Sequence, residues 1–173
     1  MKQHRGMRPQ DPVLLLAMGV ISKQNPDWQM KDLAQSIGLS GGEVSESLKR
    51  SQLSGLVGEN KRKLRVTAFL EFLRFGLPYV FPGILGPEVR GLATAYSAPP
   101  LNQQIASKHG IVWPWDQGNV RGWALEPLYA PVVERLTTQP LLYEVLALTE
   151  VFRVGRNREK AIALEELEER LKP

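Results

Sequence analysis

The longest apolar run in the chain, Val13-Leu14-Leu15-Leu16-Ala17-Met18, stands directly behind Asp11-Pro12. Six residues fall far short of the roughly 20 that span a bilayer, so the run is read as the buried part of a helix. Asp11 is placed as the N-cap acceptor. Pro12 follows where its missing N–H does no harm. Val13, Leu14, Leu16, Ala17, Val20 and Ile21 recur at i, i+3, i+4 spacing, which predicts a first helix near 12–23. Asn25-Pro26-Asp27 breaks it.

Met30, Leu33, Ala34 and Ile37 predict a short second helix with Lys31, Asp32, Gln35 and Ser36 facing out. Gly38 ends it and Leu39 plugs the turn. Ser40-Gly41-Gly42-Glu43 has the capping-box spacing of an N-cap serine and a glutamate three residues on. Val44 and Leu48 mark the buried stripe of a third helix reaching about Gln52, with Ser45, Glu46, Lys49 and Arg50 off that stripe. Gly55 closes the helix. Leu56-Val57 and Leu64-Arg65-Val66 predict two short strands around the polar turn 58–63.

Charge sharpens this picture. Residues 1–65 hold eleven Lys/Arg against six Asp/Glu, whereas residues 66–173 hold eleven against twelve. The positive excess therefore lies in the first third, as a polyanion partner requires. The basic start, with Lys2, Arg5 and Arg8, lacks the apolar stretch of a signal peptide, which predicts a cytoplasmic protein. Cysteine is absent and histidine is limited to His4 and His109, which excludes disulfides, thiolate sites and cysteine nucleophiles. A His-rich zinc site is not expected.

The stretch Leu33-Ala34-Gln35-Ser36-Ile37-Gly38-Leu39-Ser40, with Val44-Ser45, Leu48-Lys49-Arg50 and Gly55-Leu56-Val57, resembles bacterial winged helix-turn-helix regulators of the MarR and ArsR kind. The resemblance covers roughly residues 11–66. It implies a third helix in the major groove of double-stranded DNA and a wing over phosphates or the minor groove. The groove-facing positions become Gly41, Gly42, Glu43, Ser45, Glu46 and Lys49, beginning from Ser40. Lys49, Arg50, Lys61, Arg62, Lys63 and Arg65 become backbone contacts, which position without specifying. Two glycines and two glutamates depart from an ideal reader. Glu43 and Glu46 repel phosphate, although glutamate can accept from a cytosine amino group.

Further on, Thr67–Phe75 predicts a helix closed by Gly76. Residues 77–100 are dense in proline and glycine, which predicts an irregular but ordered segment, with Tyr79-Val80-Phe81 a short strand. Residues 111–115 and 120–124 flank Asp116-Gln117-Gly118-Asn119 and predict a hairpin. Tyr96, Trp113, Trp115 and Trp123 are read either as a ligand or partner pocket or as the aromatic packing of a small core. No paired carboxylates, phosphate loop or metal-protease motif is present, so neither an enzyme nor a cofactor is expected.

Glu126-Pro127 opens a predicted helix with Leu128, Val132, Val133 and Leu136. Pro140 starts another, apolar over 141–152 on a face broad enough for internal packing or a dimer seam. Asn157 is placed as the cap of a last helix. Arg153, Arg156 and Arg158 cluster at the junction, as an anion site or as helix-end cations paired with Glu150 or Glu159.

The expected fold is mainly α with small β elements. It comprises a basic arm (1–10), a winged helix-turn-helix unit (11–76), an irregular middle with a hairpin (77–125) and C-terminal helices for dimerisation or partner binding (126–173). The expected function is a dimeric DNA-binding repressor. The competing expectation is a protein-binding module, such as an antitoxin or adapter, that holds a partner through the middle and C-terminal parts.

Overall fold

The computed structural model describes residues 6–173; the arm residues Lys2, His4 and Arg5 lie outside them. The fold is mainly helical with a small three-stranded sheet. Helix α1 (Gln10–Gln24) is buried continuously from Asp11 to Val20. A helix apolar on every face must be surrounded, and α1 is: α2 (Met30–Ile37), α3 (Gly41–Leu53), α6 (Pro140–Val154) and α7 (Asn157–Leu171) all pack on it.

Asp11 is not the N-cap that the sequence suggested. Pro9 precedes the helix and Asp11 lies inside its first turn. Its carboxylate accepts from the Arg8 backbone N–H at 2.8 Å and the Ser47 hydroxyl at 2.6 Å. The Arg50 guanidinium closes on it with two bonds, at 2.8 and 2.7 Å. Asp11 is fully buried and Arg50 is 9% exposed, so Arg50 does not face solvent as a phosphate contact would.

The turn between α2 and α3 follows its local signals. Gly38 adopts a left-handed conformation, φ 78°, which only glycine takes without strain. The Ser40 hydroxyl then accepts from the Glu43 N–H at 3.2 Å, and the Glu43 carboxylate accepts from the Ser40 N–H at 2.8 Å. The two strands expected next shrink to a single antiparallel bridge between Val57 and Leu64. The returning strand has no length because α4 (Val66–Phe75) starts at once.

The middle of the chain departs furthest from expectation. Tyr79 and Val80 lie in one turn of helix, α5 (Leu77–Val80), not in a strand. The proline- and glycine-rich stretch contains a nine-residue strand, β1 (Leu85–Ala93). Pro87 is accommodated where the register with β3 shifts, between Leu85 and Glu88. The strands β2 (Ile111–Pro114) and β3 (Val120–Leu125) form, but not as a hairpin: they run parallel to each other. Each pairs antiparallel with β1, β2 along residues 91–93 and β3 along 85–91. One long strand thus serves both in succession, and the three close into a small barrel. Closure is tight at two glycines. A Cβ on Gly91 would overlap the Trp113 carbonyl, and one on Gly118 would overlap the Gly91 carbonyl.

Residues 130–138 wind as a 3-10 helix (Ala130–Thr138), not the expected α-helix; Val133 and Leu136, three apart, share its buried edge. Helix α6 is buried without a break from Val145 to Phe152. Its broad apolar face is filled from within by α1, α5, α7 and the 3-10 segments. Helix α7 is capped by Arg156 rather than Asn157, with the Glu159 carboxylate accepting from the Arg156 N–H at 2.6 Å. Arg153 pairs with Glu150, the second of the two expectations for the arginines at this junction. It is buried against Glu150 at 2.5 Å and donates to the Phe81 carbonyl at 2.8 Å. Burial pushes the Glu150 carboxyl upward, and Arg153 opposes that shift.

Removing one partner of the Asp11–Arg50 pair strands a buried charge. Asp11→Ala or Arg50→Ala is expected to cost about 3 kcal/mol in urea unfolding, and Asp11→Leu with Arg50→Met to recover most of it. A loss below ~1 kcal/mol for either single change would mean the pair is not desolvated.

Candidate nucleic-acid interface

The exposed row of α3 is formed by Gly41, Gly42, Glu43, Glu46 and Lys49, with Ser40 at its head and Ser45 half-buried. The opposite side, Val44, Ser47, Leu48 and Ser51, is buried on the core. The first turn faces open space. A Cβ on Gly41 would meet nothing within 4 Å, and one on Gly42 would meet only the Ser40 hydroxyl at 4.0 Å. Internal packing therefore does not require either glycine, although glycine in a helix is costly.

Glu43 and Glu46 both lie below the ordinary carboxylate range, for different reasons. The Ser40 backbone N–H and hydroxyl hold Glu43 down. The hydrogen bond from Lys49, 2.6 Å away, holds Glu46 down, with the charges of Lys49, Arg50 and Lys61 adding to it. Lys49 is thus engaged with its neighbour, in an exposed pair of the kind that contributes little to stability.

The loop 58–63 lies beside this row. The Gln52 side-chain amide donates to the Glu59 carbonyl at 2.8 Å, which ties the loop to the end of α3. Lys61 takes a positive φ of 56° and Lys63 and Arg65 are exposed. None of the three makes an ion pair among the described residues. Arg62 differs: it donates to the Trp28 carbonyl and lies over the Trp28 ring, 4.6 Å from its centroid. Its guanidinium anchors the loop to the α1–α2 connection.

Three contacts that no spacing in the sequence announces come from the C-terminal half. The Tyr129 hydroxyl donates to the Gly38 carbonyl at 3.1 Å. Arg135 donates to the Gln35 carbonyl at 2.9 Å and packs over Gly38. Gln139 exchanges hydrogen bonds with Ser36, at 2.6 Å and 2.9 Å. The end of α2 and the turn before α3 are thereby clamped. Burial raises the Tyr129 phenol above its ordinary value, and the nearby Glu43 charge adds to the shift.

The aromatic residues separate. Trp113 is 2% exposed and packs on Tyr143, whereas Trp123 is 37% exposed and stacks on His109 at 4.7 Å. Tyr96 and Trp115 are half-buried against the core. Among the described residues, no group of three or more His, Asp or Glu is placed to hold a metal ion, and no helix is long and apolar enough to cross a membrane.

No protein-family model, curated protein or solved structure matches the chain.

The Ser40–Glu43 cap has a definite pH sign. A carboxylate depressed in the fold stabilises fully above its ordinary range and loses that contribution as pH falls through its folded value. Acidification is therefore expected to lower the protection factors of the Ser40 and Glu43 amides, each taken against the intrinsic exchange rate at that pH, as Ser40→Ala is expected to do several-fold at neutral pH. Protection factors at both amides that ignore pH and the substitution would contradict the cap.

Proposed function

We propose that this chain is a DNA-binding regulator of the winged-helix type, acting as a dimer that represses by occluding a promoter-proximal site. The observation that carries the reading is the open first turn of α3, on a helix whose far end holds a cationic loop. Gly41 and Gly42 leave room for a partner's surface to approach the α3 backbone closely. Lys61 and Lys63 in that loop, and Arg65 just after it, make no ion pair among the described residues and supply the charge a phosphate backbone seeks. Arg50 and Arg62 have structural duties, so phosphate contact falls to fewer side chains than the count of basic residues suggests. Direct base reading rests on Glu43, Ser45, Glu46 and Lys49, a sparse set.

A second reading, a protein-binding module such as an antitoxin or adapter, draws on Glu43 and Glu46, whose negative charge faces out from the same helix. Fluorescence anisotropy separates the two, using the DNA upstream of the gene and a scrambled duplex over a range of salt. Tight binding to the upstream duplex alone, weakening as salt rises, supports the regulator. No binding to either duplex at low salt supports the protein partner.

Two substitutions refine the test. Lys61→Ala with Lys63→Ala is expected to weaken binding to all duplexes and to reduce the salt slope by about 2, roughly one for each phosphate contact. Gly42→Ala is expected to stabilise the protein by up to ~1 kcal/mol, because nothing obstructs the new methyl. The same change is expected to lower affinity, because it fills the space left for the groove. A Gly42→Ala protein that binds as well as the parent would remove the close-approach argument.

A further inference from the structure

We propose that the apolar strip at residues 75–85 is the face through which two copies of this chain associate. Phe75, Tyr79, Val80, Ile84 and Leu85 are all exposed; Tyr79 reaches 84% and Ile84 78%. Scattered exposed hydrophobes are ordinary, but five large ones within eleven residues are a patch. The strip is not a loose loop. Leu77 beneath it is fully buried. Gly83 packs against Val154 and Arg153, and the Arg153 guanidinium holds the Phe81 carbonyl. A surface already fixed in shape loses little entropy on docking.

The charges around the strip favour a second copy as the occupant. Glu71 and Arg74 flank it on α4, and Glu88 and Arg90 on β1, with Arg121 of β3 paired to Glu88 and set across from Arg90; all are exposed. A two-fold interface brings the same patch to itself, so a rim that carries both signs can pair with its own copy. Its acids set it apart from Lys61, Lys63 and Arg65, which make no ion pair among the described residues. Given ~150–250 Å² for each aromatic, the strip offers on the order of 500 Å² of apolar surface, and its charged rim brings it near the ~800 Å² a side of a specific interface. Pro87 lies within β1 beside the strip and discourages strand-on-strand growth, so association closes as a pair.

The placement also suits the proposed activity. Helix α4 begins at the cationic loop and ends at Phe75, and its ten residues separate the two by about 15 Å. Pairing through the strip leaves α3 and the loop uncovered. The inference rests on the regulator reading for what the dimer does, not for its existence.

Sedimentation velocity on the full chain tests it. The parent is expected to sediment at twice 19.4 kDa at micromolar concentration. Tyr79→Glu and Ile84→Glu are expected to weaken association ~100-fold or more, with an unchanged circular dichroism spectrum because both side chains are exposed. Leu53→Glu, at an exposed apolar site on α3 away from the strip, is expected to leave the dimer intact. A parent that stays monomeric throughout the range overturns the proposal, as does a dimer that survives both strip substitutions. The anisotropy measurement stays separate: a dimer that ignores DNA defeats the regulator reading alone, and a monomer that binds DNA defeats this inference alone.

Discussion

The buried pair between Asp11 and Arg50 sets the geometry on which the N-terminal helices depend. Apolar packing between α1 and α3 is non-directional and would tolerate a range of crossing angles. Two guanidinium bonds and the Ser47 hydroxyl, all on one carboxylate, tolerate few. Desolvating the two charges is expensive, so the pair is better understood as fixing the orientation of α3 on α1 than as adding stability. That orientation decides which side of α3 is buried. With Arg50, Ser47 and Ser51 turned inward, Gly42, Glu46 and Lys49 are left facing out.

The C-terminal half shapes the same surface from the other direction. Tyr129, Arg135 and Gln139 grip the end of α2 and the turn that precedes α3. The buried side chains of α1, α3, α6 and α7 belong to one continuous core. The N-terminal helices therefore do not stand apart as a separable reader. The 3-10 helix and the residues flanking it are tied to the end of α2 and the turn at Gly38 by four hydrogen bonds and shared packing.

What could be read from the sequence was local. Helix α2, the glycine stop at Gly38 and the Ser40–Glu43 box depend on residues three or four apart, and each appears where expected. What could not be read was non-local. Asp11 has the position of a cap and Arg50 the look of a surface cation; only the fold shows that they are each other's partner. Ser47 and Ser51, small polar residues on the buried side of α3, were the one hint that a polar contact lay beneath it. The pairing of the strands at 111–114 and 120–125 failed as an expectation for the same reason, although both strands form. Turn residues between 115 and 120 signal a reversal, but pairing with β1 makes β2 and β3 parallel, and β1 itself hides behind its prolines and glycines. At the candidate interface, the exposed positions of α3 were legible, whereas the diversion of Arg62 to Trp28 and the clamp by Tyr129 and Arg135 were not.

Local rules are broken most visibly where the fold itself supplies no reason to break them. Gly91 and Gly118 have a reason, since the barrel could not close around a larger residue. Gly41 and Gly42 have none within the chain. The same holds for Tyr79 and Ile84, which nothing internal covers, while comparable side chains such as Phe69 and Leu73 are fully buried on the adjoining helix. It holds more weakly for Arg90, set directly across from Arg121, where only Glu88 at 3.2 Å from Arg121 relieves the repulsion. A sequence whose propensities and packing otherwise agree accepts such costs where another molecule offsets them. The glycines and the apolar strip differ in kind: one is an opening on α3, the other is apolar with a rim of both signs. On the proposed reading, a nucleic acid at the first leaves the second free for another copy of the chain.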